Sequence, residues 1–236
     1  MKSIKNNRDK LYPGKVQICD LCNGRYITRK PIYDFLVEHS SEIEGELLDY
    51  GCGSMQYRSV FSNIKRYTGL DIAGAEKNGF IPEKDVVYYD GIQIPFDDSK
   101  FDSAIAIEVF EHVENIEYGL QELSRVLKGE GVLLITVPMT FPLHLEPWDY
   151  RRFTFQGLKK VLEENGFRVI DIHGSTGERD TIRRLKIIEM QRRKSKFAKC
   201  YTIYANLLYI LGKNKKSKDS KLPIDFLVKC VNCKKT

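Results

Sequence analysis

Apolar positions along the chain follow two alternating periods. Short apolar runs occur at Glu46–Tyr50, Arg66–Leu70, Asp85–Tyr89, Phe101–Ile107 and Gly131–Val137, each closed by an acid, a glycine or a proline. Runs of this length with such ends read as buried strands. Between them the spacing turns helical. Ile32, Phe35 and Leu36 follow Pro31, which suits a first helical turn and predicts a helix over Ile32–His39. Gln56–Ile64 is a second candidate helix. Asn115–Leu127 is a third, with Ile116, Leu120, Leu123, Val126 and Leu127 on one face and Gly129 placed to cap its end. Thr154–Asn165 starts on a good N-cap, Thr154, and stops before Gly166. Phe167–His173 and Ile224–Val231 supply two more strands. Strands alternating with helices predict an α/β fold, a mostly parallel sheet with helices on both faces.

Arg179–Gly212 breaks this rhythm and reads as one or two helices inserted before the last strand, followed by a charged linker, Lys213–Lys221. The 236 residues suit one domain over 31–236 with an N-terminal extension, 1–30, and the helical insert at about 179–212. The net charge of +6 is concentrated in and after that insert, from Arg179 to Lys221. Two readings stand: a solvated helix face with a loop, or a surface that meets an anion such as a lipid headgroup, a phosphorylated glycan or nucleic acid. Phe197, Tyr201, Tyr204, Leu207, Leu208 and Leu211 recur at helical spacing beside the basic run. That stripe suits a lid over an acceptor or an amphipathic helix on an anionic membrane. No apolar stretch approaches the roughly 20 residues of a spanning helix, and Met1–Tyr12 is polar and basic with no apolar run behind it. The expectation is a cytoplasmic protein, with peripheral contact to the inner face of the membrane as the alternative.

The densest chemical signal is Leu47-Leu48-Asp49-Tyr50-Gly51-Cys52-Gly53-Ser54. A buried strand runs into a turn whose two glycines let backbone approach a ligand closely. Asp71 closes the next strand and is placed to accept ribose hydroxyls; Asp90 closes the third, with Gly91 after it. Ile72 and Ile92 would wall an adenine whose amine meets Asp90. Either a dinucleotide or S-adenosylmethionine fits such a set. The dinucleotide fingerprint needs a third glycine where this chain has Gln56. Asp49 also places negative charge where a pyrophosphate would be repelled and an ammonium welcomed. Both points favour S-adenosylmethionine.

With LLDYGCGS, GLDI, the Tyr88–Val113 run, ELSRVLKGEGVLLITVP and the Phe153–Phe167 run, the chain resembles class I, S-adenosylmethionine-dependent methyltransferases of the UbiE/UbiG-like type. The resemblance covers roughly residues 44–173. It implies a Rossmann-like seven-stranded sheet whose final strand is antiparallel. It implies that Asp49, Gly51 and Gly53 hold the methionine part, Asp71 the ribose and Asp90 the adenine, with Glu108 and Val109 beside the sulfonium. Cys52, commonly a cysteine in this family, then packs rather than reacts. The later stretch His144-Leu145-Glu146-Pro147-Trp148-Asp149-Tyr150-Arg151-Arg152-Phe153 is similar to one in methyltransferases of cell-surface polysaccharide pathways.

A weak nucleophile such as a sugar hydroxyl needs a base, and His112, His144, Glu146 and Asp149 are the candidates. Structural roles compete with each: a helix-start hydrogen bond for His112, a self-tied loop for His144–Tyr150. Arg151 and Arg152 would clamp a phosphate or carboxylate, or pair with Glu146 and Asp149. Two CxxC pairs, Cys19/Cys22 and Cys230/Cys233, lie almost a domain apart, and Cys230 reads as a core thiol, so no metal is expected. The expected activity is O-methylation of a sugar, glycan or related anionic small acceptor, free or lipid-linked, in polysaccharide biosynthesis. A quinone-like hydrophobic metabolite, or S-adenosylmethionine binding without catalysis, are the alternatives. No Asn-Pro-Pro-Tyr-like motif follows the fourth strand, where Glu108-Val109-Phe110-Glu111 stands, which argues against nucleic acid.

Overall fold

The computed structural model describes residues 21–74, 85–212 and 220–234. Seven strands form one sheet: β1 (Gly45–Tyr50), β2 (Ile64–Ile72), β3 (Val86–Tyr89), β4 (Phe101–Ile107), β5 (Leu127–Pro138), β6 (Phe167–Gly174) and β7 (Asp225–Asn232). Their order is β3-β2-β1-β4-β5-β7-β6. β3, β2, β1, β4 and β5 pair in parallel, while β7 runs antiparallel to both β5 and β6. This is the mostly parallel, Rossmann-like sheet that the alternating pattern predicts, with its last strand antiparallel.

Among the described residues there are five helices: α1 (Tyr26–His39), α2 (Ile116–Val126), α3 (Phe155–Glu164), α4 (Glu178–Arg192) and α5 (Ala198–Leu211). On one face Leu48, Ala104, Leu133 and Ile135 pack against Leu120 and Leu123 of α2 and Leu158 and Leu162 of α3. On the other Leu47, Ile105 and Leu134 meet Phe35 and Leu36 of α1. Neighbouring residues Leu47 and Leu48 serve opposite cores because strand side chains alternate. Asn115 caps α2 by accepting from Tyr118 N at 3.0 Å, and Thr154 caps α3 by accepting from Gly157 N at 3.2 Å.

Three sequence expectations are corrected. Pro31 lies inside α1, which starts at Tyr26, because Ile27 is drawn into a third cluster with Ile187, Ala205 and Ile224. The helix therefore spans the 30/31 boundary. Gln56–Ile64 is not an α-helix but a turn with one 3-10 segment, Arg58–Val60. Met55, Tyr57 and Phe61 are all buried under the sheet, and Phe61 is already extended, leading into β2 at Ile64. α2 ends at Val126 and Leu127 goes directly into β5, so Gly129 caps nothing. The apolar stripe of α5 is divided: Tyr201 packs against the third cluster and Leu208 is half-buried, whereas Tyr204, Leu207, Leu211 and, at the N-cap, Phe197 are exposed; Thr202, Ala205 and Asn206 are the buried residues of the helix. Asn206 anchors that inner face by donating to Leu21 O at 2.7 Å and Asn23 O at 3.0 Å.

The insert sits between β6 and β7 as α4 and α5. Its basic residues are partly consumed: Arg183 pairs with Asp180, Lys186 and Arg193 with Glu189, and Arg184 is buried. Most of the charged linker, 213–219, lies outside the described residues. No described helix is long and apolar enough to cross a membrane.

Candidate functional site

Strand order reverses at β1 and β4, so the crevice where ligands bind in open α/β sheets opens above these two strand ends. The turn after β1 is held there by backbone: Gly51 N and Cys52 N donate to Leu70 O at 2.8 and 3.1 Å. Gly51 and Gly53 both have positive φ, +70° and +51°. A Cβ on Gly51 would fall 2.5 Å from the Val109 side chain, so only glycine brings the β1 turn this close to the β4 tip. Cys52 points inward, and a Cβ on Gly69 would collide with its sulfur at 2.8 Å. Its side chain packs, while its backbone forms the turn.

Asp71 ties the turn to the end of β2. Its carboxylate accepts from Gly53 N at 2.9 Å and Ile72 N at 2.8 Å. Asp90 accepts from Ile92 N at 2.8 Å across Gly91, whose φ is +82°. Ile72 and Ile92 flank these acids and are 51% and 62% exposed, an unusual state for isoleucine beside charged groups and one that suits walls for a flat apolar ring. Asp49 is buried and accepts from Tyr67 Oη at 2.5 Å. Burial pushes its carboxyl up to about 7, with the Tyr67 bond opposing and the Asp71 charge adding to the rise. The structure thus brings Asp49, Gly51, Gly53, Asp71, Ile72, Asp90, Gly91, Ile92, Glu108 and Val109 to one edge of the sheet.

Glu108 follows β4 in a left-handed conformation, φ +56°. It accepts from Thr136 Oγ1 at 2.8 Å, and burial pushes its carboxyl up to about 7. Beyond it lies a polar cluster that the sequence only half revealed. His112 Nδ1 meets Trp148 O at 2.8 Å. The His112 and His144 rings stand edge to face, centroids 4.9 Å apart. Glu111 lies between them, fully buried. Asp149 is locked by Arg152, which donates to its two oxygens at 2.5 and 2.7 Å, and His144 N donates to it at 2.9 Å. The Arg152 bonds hold the Asp149 carboxyl down to about 2, which makes it a poor base.

Glu146 is exposed on the same loop, and none of these hydrogen bonds involves it. The two arginines are not a clamp for an incoming anion. Arg151 donates to Phe110 O at 3.0 Å, to Val113 O and to Glu114 O at 2.6 Å, and Arg152 is spent on Asp149 and on the carbonyls of Phe141, Pro142 and Arg151. Dense local carbonyls outcompete a ligand for these donors. Of the base candidates, the two imidazoles are left with a ring nitrogen toward the cluster.

Three groups of this site escape a reading of the sequence alone. Glu111 is visible as Glu-His after a strand, but its full burial is not. Asp225 opens β7 and is buried, bonded to Ser175. Burial, then Glu108 and Glu111, push its carboxyl well above the usual range. Arg184 comes from the insert, donates to Thr28 Oγ1 at 2.9 Å and stacks over Phe141. With Arg192 donating to Leu143 O at 3.3 Å, it brings α4 against the loop after β5. The second CxxC pair is divided: Cys230 is a fully buried core thiol, and Cys233 is exposed. Cys19 of the first pair lies outside the described residues.

Comparisons with known proteins agree with this geometry. Residues 48–135 match the family model described as a methyltransferase domain. A protein of Mycolicibacterium smegmatis designated a probable S-adenosylmethionine-dependent methyltransferase is 27% identical over 139 residues, covering 55% of this chain and 54% of its own length. An O-methyltransferase of Aspergillus sclerotiorum is 27% identical over 170 residues, covering 61% of each. The chain therefore spans about half to three-fifths of the length of these curated relatives. Among solved structures, the 4+2 cyclase SpnF shares the fold with a TM-score of 0.57 at 20% identity, over 85% of this chain and 79% of that one.

Proposed function

We propose that this chain is an S-adenosylmethionine-dependent methyltransferase that moves a methyl group to an oxygen of a sugar, glycan or related small acceptor. The observation that carries the reading is the convergence, at the β1/β4 switch point, of a two-glycine turn, three carboxylates and two exposed isoleucines. The residues fit the cofactor: the turn that only Gly51 permits leaves room for its amino-acid end. Asp49 faces that end, Asp71 the ribose, Asp90 and the isoleucines the adenine. When bound, S-adenosylmethionine supplies an electrophilic methyl carbon on sulfur. Glu108 and Val109 line that side of the crevice, and the protein's part is to align the acceptor and exclude water. Burial first, then the His112 charge, lowers the His144 pKa, so His144 is neutral near pH 7 and can accept a hydroxyl proton.

A hydrophobic acceptor is the second reading. Leu143, Leu145 and Trp148 on the loop beside the histidines are 50–61% exposed, apolar surface that an aromatic or lipid-linked acceptor would cover. The exposed apolar residues of α5, with Lys199 on the helix and Lys194 and Lys196 just before it, support approach from an anionic membrane. Incubation with methyl-labelled S-adenosylmethionine and candidate acceptors tests the reading. Label in an alkali-stable ether of a glycan supports it. Tight cofactor binding with no label on any acceptor would leave a binding protein, and turnover without label would indicate chemistry of another kind.

The Asp49 carboxyl gives a pH signature. A bound ammonium favours its ionised form, so binding releases a proton below about pH 7. We expect adenosylhomocysteine affinity, measured by calorimetry, to fall toward about tenfold per pH unit on the acid side of that value. Asp49→Asn should flatten the slope; the same slope in both proteins would clear Asp49. In the ligand-free chain the shift favours the protonated form. That contribution to stability is whole below the unfolded value of 3.8 and is lost as pH rises through about 7.

A further inference from the structure

We infer that Glu111, His112 and His144 form a binding site for a divalent cation of the zinc type, beside the methyl-transfer crevice. One oxygen or ring nitrogen from each residue lies within 4.8 Å of the others. Glu111 Oε1 stands 3.6 Å from His112 Nε2 and 4.0 Å from His144 Nε2. These gaps are too long for hydrogen bonds. They are close to the separations of donors that share one ion at about 2.0–2.2 Å.

The Glu111 carboxylate supplies an independent observation. It is fully buried, and neither of its oxygens has a hydrogen-bond partner among the described residues. A buried carboxylate left this way carries a desolvation penalty that something must offset. Arg152, the nearby cation, spends its donors on Asp149 and backbone carbonyls. Glu108, Asp149 and Asp225 are further carboxyls around the Glu111 side chain, so the surroundings favour a cation over an anion there.

The outer groups orient the ligands for this task. His112 directs Nδ1 at Trp148 O, 2.8 Å away, which leaves Nε2 as the lone-pair nitrogen facing Glu111. His144 Nδ1 lies 3.3 Å from Asp149 Oδ2 without a hydrogen bond between them, and its Nε2 also faces Glu111. A carbonyl behind a ligating imidazole, as at His112, is a usual outer-shell partner of such sites. Two imidazoles and one carboxylate leave a fourth position open, as catalytic zinc sites do. Both histidines are half-buried, so the open position is reachable from solvent. Under the methyltransferase reading, that position would take an acceptor oxygen. The cation would then use the lone pairs that otherwise accept its proton.

The test uses the full chain, stripped of metal and free of S-adenosylmethionine, so its outcome is independent of the labelled-methyl assay. Zinc titration by calorimetry should give one site, and cobalt should give visible bands of a low-coordinate ion without the near-ultraviolet band of thiolate ligation. Glu111→Gln and His144→Ala should each weaken binding at least about 100-fold, since even an outer partner is worth 10–100-fold; Cys233→Ser should change nothing. Zinc should raise the melting temperature of the parent and of Cys233→Ser, not of the two site variants. Undiminished binding in Glu111→Gln and His144→Ala, a thiolate band with cobalt, or no binding at micromolar metal would each overturn the assignment.

Discussion

Replacing Asp71 with alanine should lower affinity for adenosylhomocysteine by about two orders of magnitude or more. The carboxylate has two tasks. It accepts from Gly53 N and Ile72 N, fixing the glycine turn against the end of β2, and it is placed to accept ribose hydroxyls. A carboxylate oxygen can take more than one donor, so the ribose need not displace the backbone bonds. Charged hydrogen bonds contribute about 1.5–3 kcal/mol each. Two of them amount to roughly 100- to 10,000-fold, and solvent access at the strand tip favours the lower end. Asp71→Asn should fall between, because an amide keeps one accepting oxygen. Asp90→Ala should cost only about tenfold, as one exposed acceptor is lost. Calorimetry on folded variants decides. Equal affinity in Asp71→Ala and the parent would remove Asp71 from the site.

That expectation was open to sequence reasoning because it depends on local features. A buried run followed by an acid marks a strand tip wherever the strand sits in the sheet, and glycines two apart mark a tight turn. The same reasoning failed where burial depends on distant partners. Gln56–Ile64 reads as a helix from its place between two strands, but Met55, Tyr57 and Phe61 are captured by the core under β1 and β2. Which face of α5 packs inward was not legible either: Asn206, two apart from Tyr204, is buried and bonds to residues 21 and 23. Glu111 and Asp225 reach one pocket only because β7 inserts between β5 and β6. The basic run offered Arg184 as one cation among many; its contact with Thr28, 156 residues away, ties the insert to α1.

The loop after β5 should prove as dependent on one side chain as the turn is on Asp71. Arg152→Met should destabilise the protein by about 3 kcal/mol, the lower end for removing one partner of a buried ion pair. The lower end applies because the Asp149 side chain is 1% exposed but Arg152 retains 21%. For a chain of this size that is a fall of roughly 6–12 °C in melting temperature. Methionine keeps the length of the stem, so the loss reports the guanidinium and its bonds to Asp149 and three carbonyls. Arg152→Lys should recover little, since one ammonium cannot span both carboxylate oxygens and the carbonyls beyond. The pH dependence separates this from simple loss of packing. Asp149 is depressed from 3.8 to about 2 by the pair. Its contribution is present above 3.8 and is lost as pH falls through about 2. The gap in stability between parent and variant should therefore narrow across that interval. A gap that stays constant down to the acid limit would assign the loss to packing, and a melting temperature within a degree of the parent would show that the loop is held by other means.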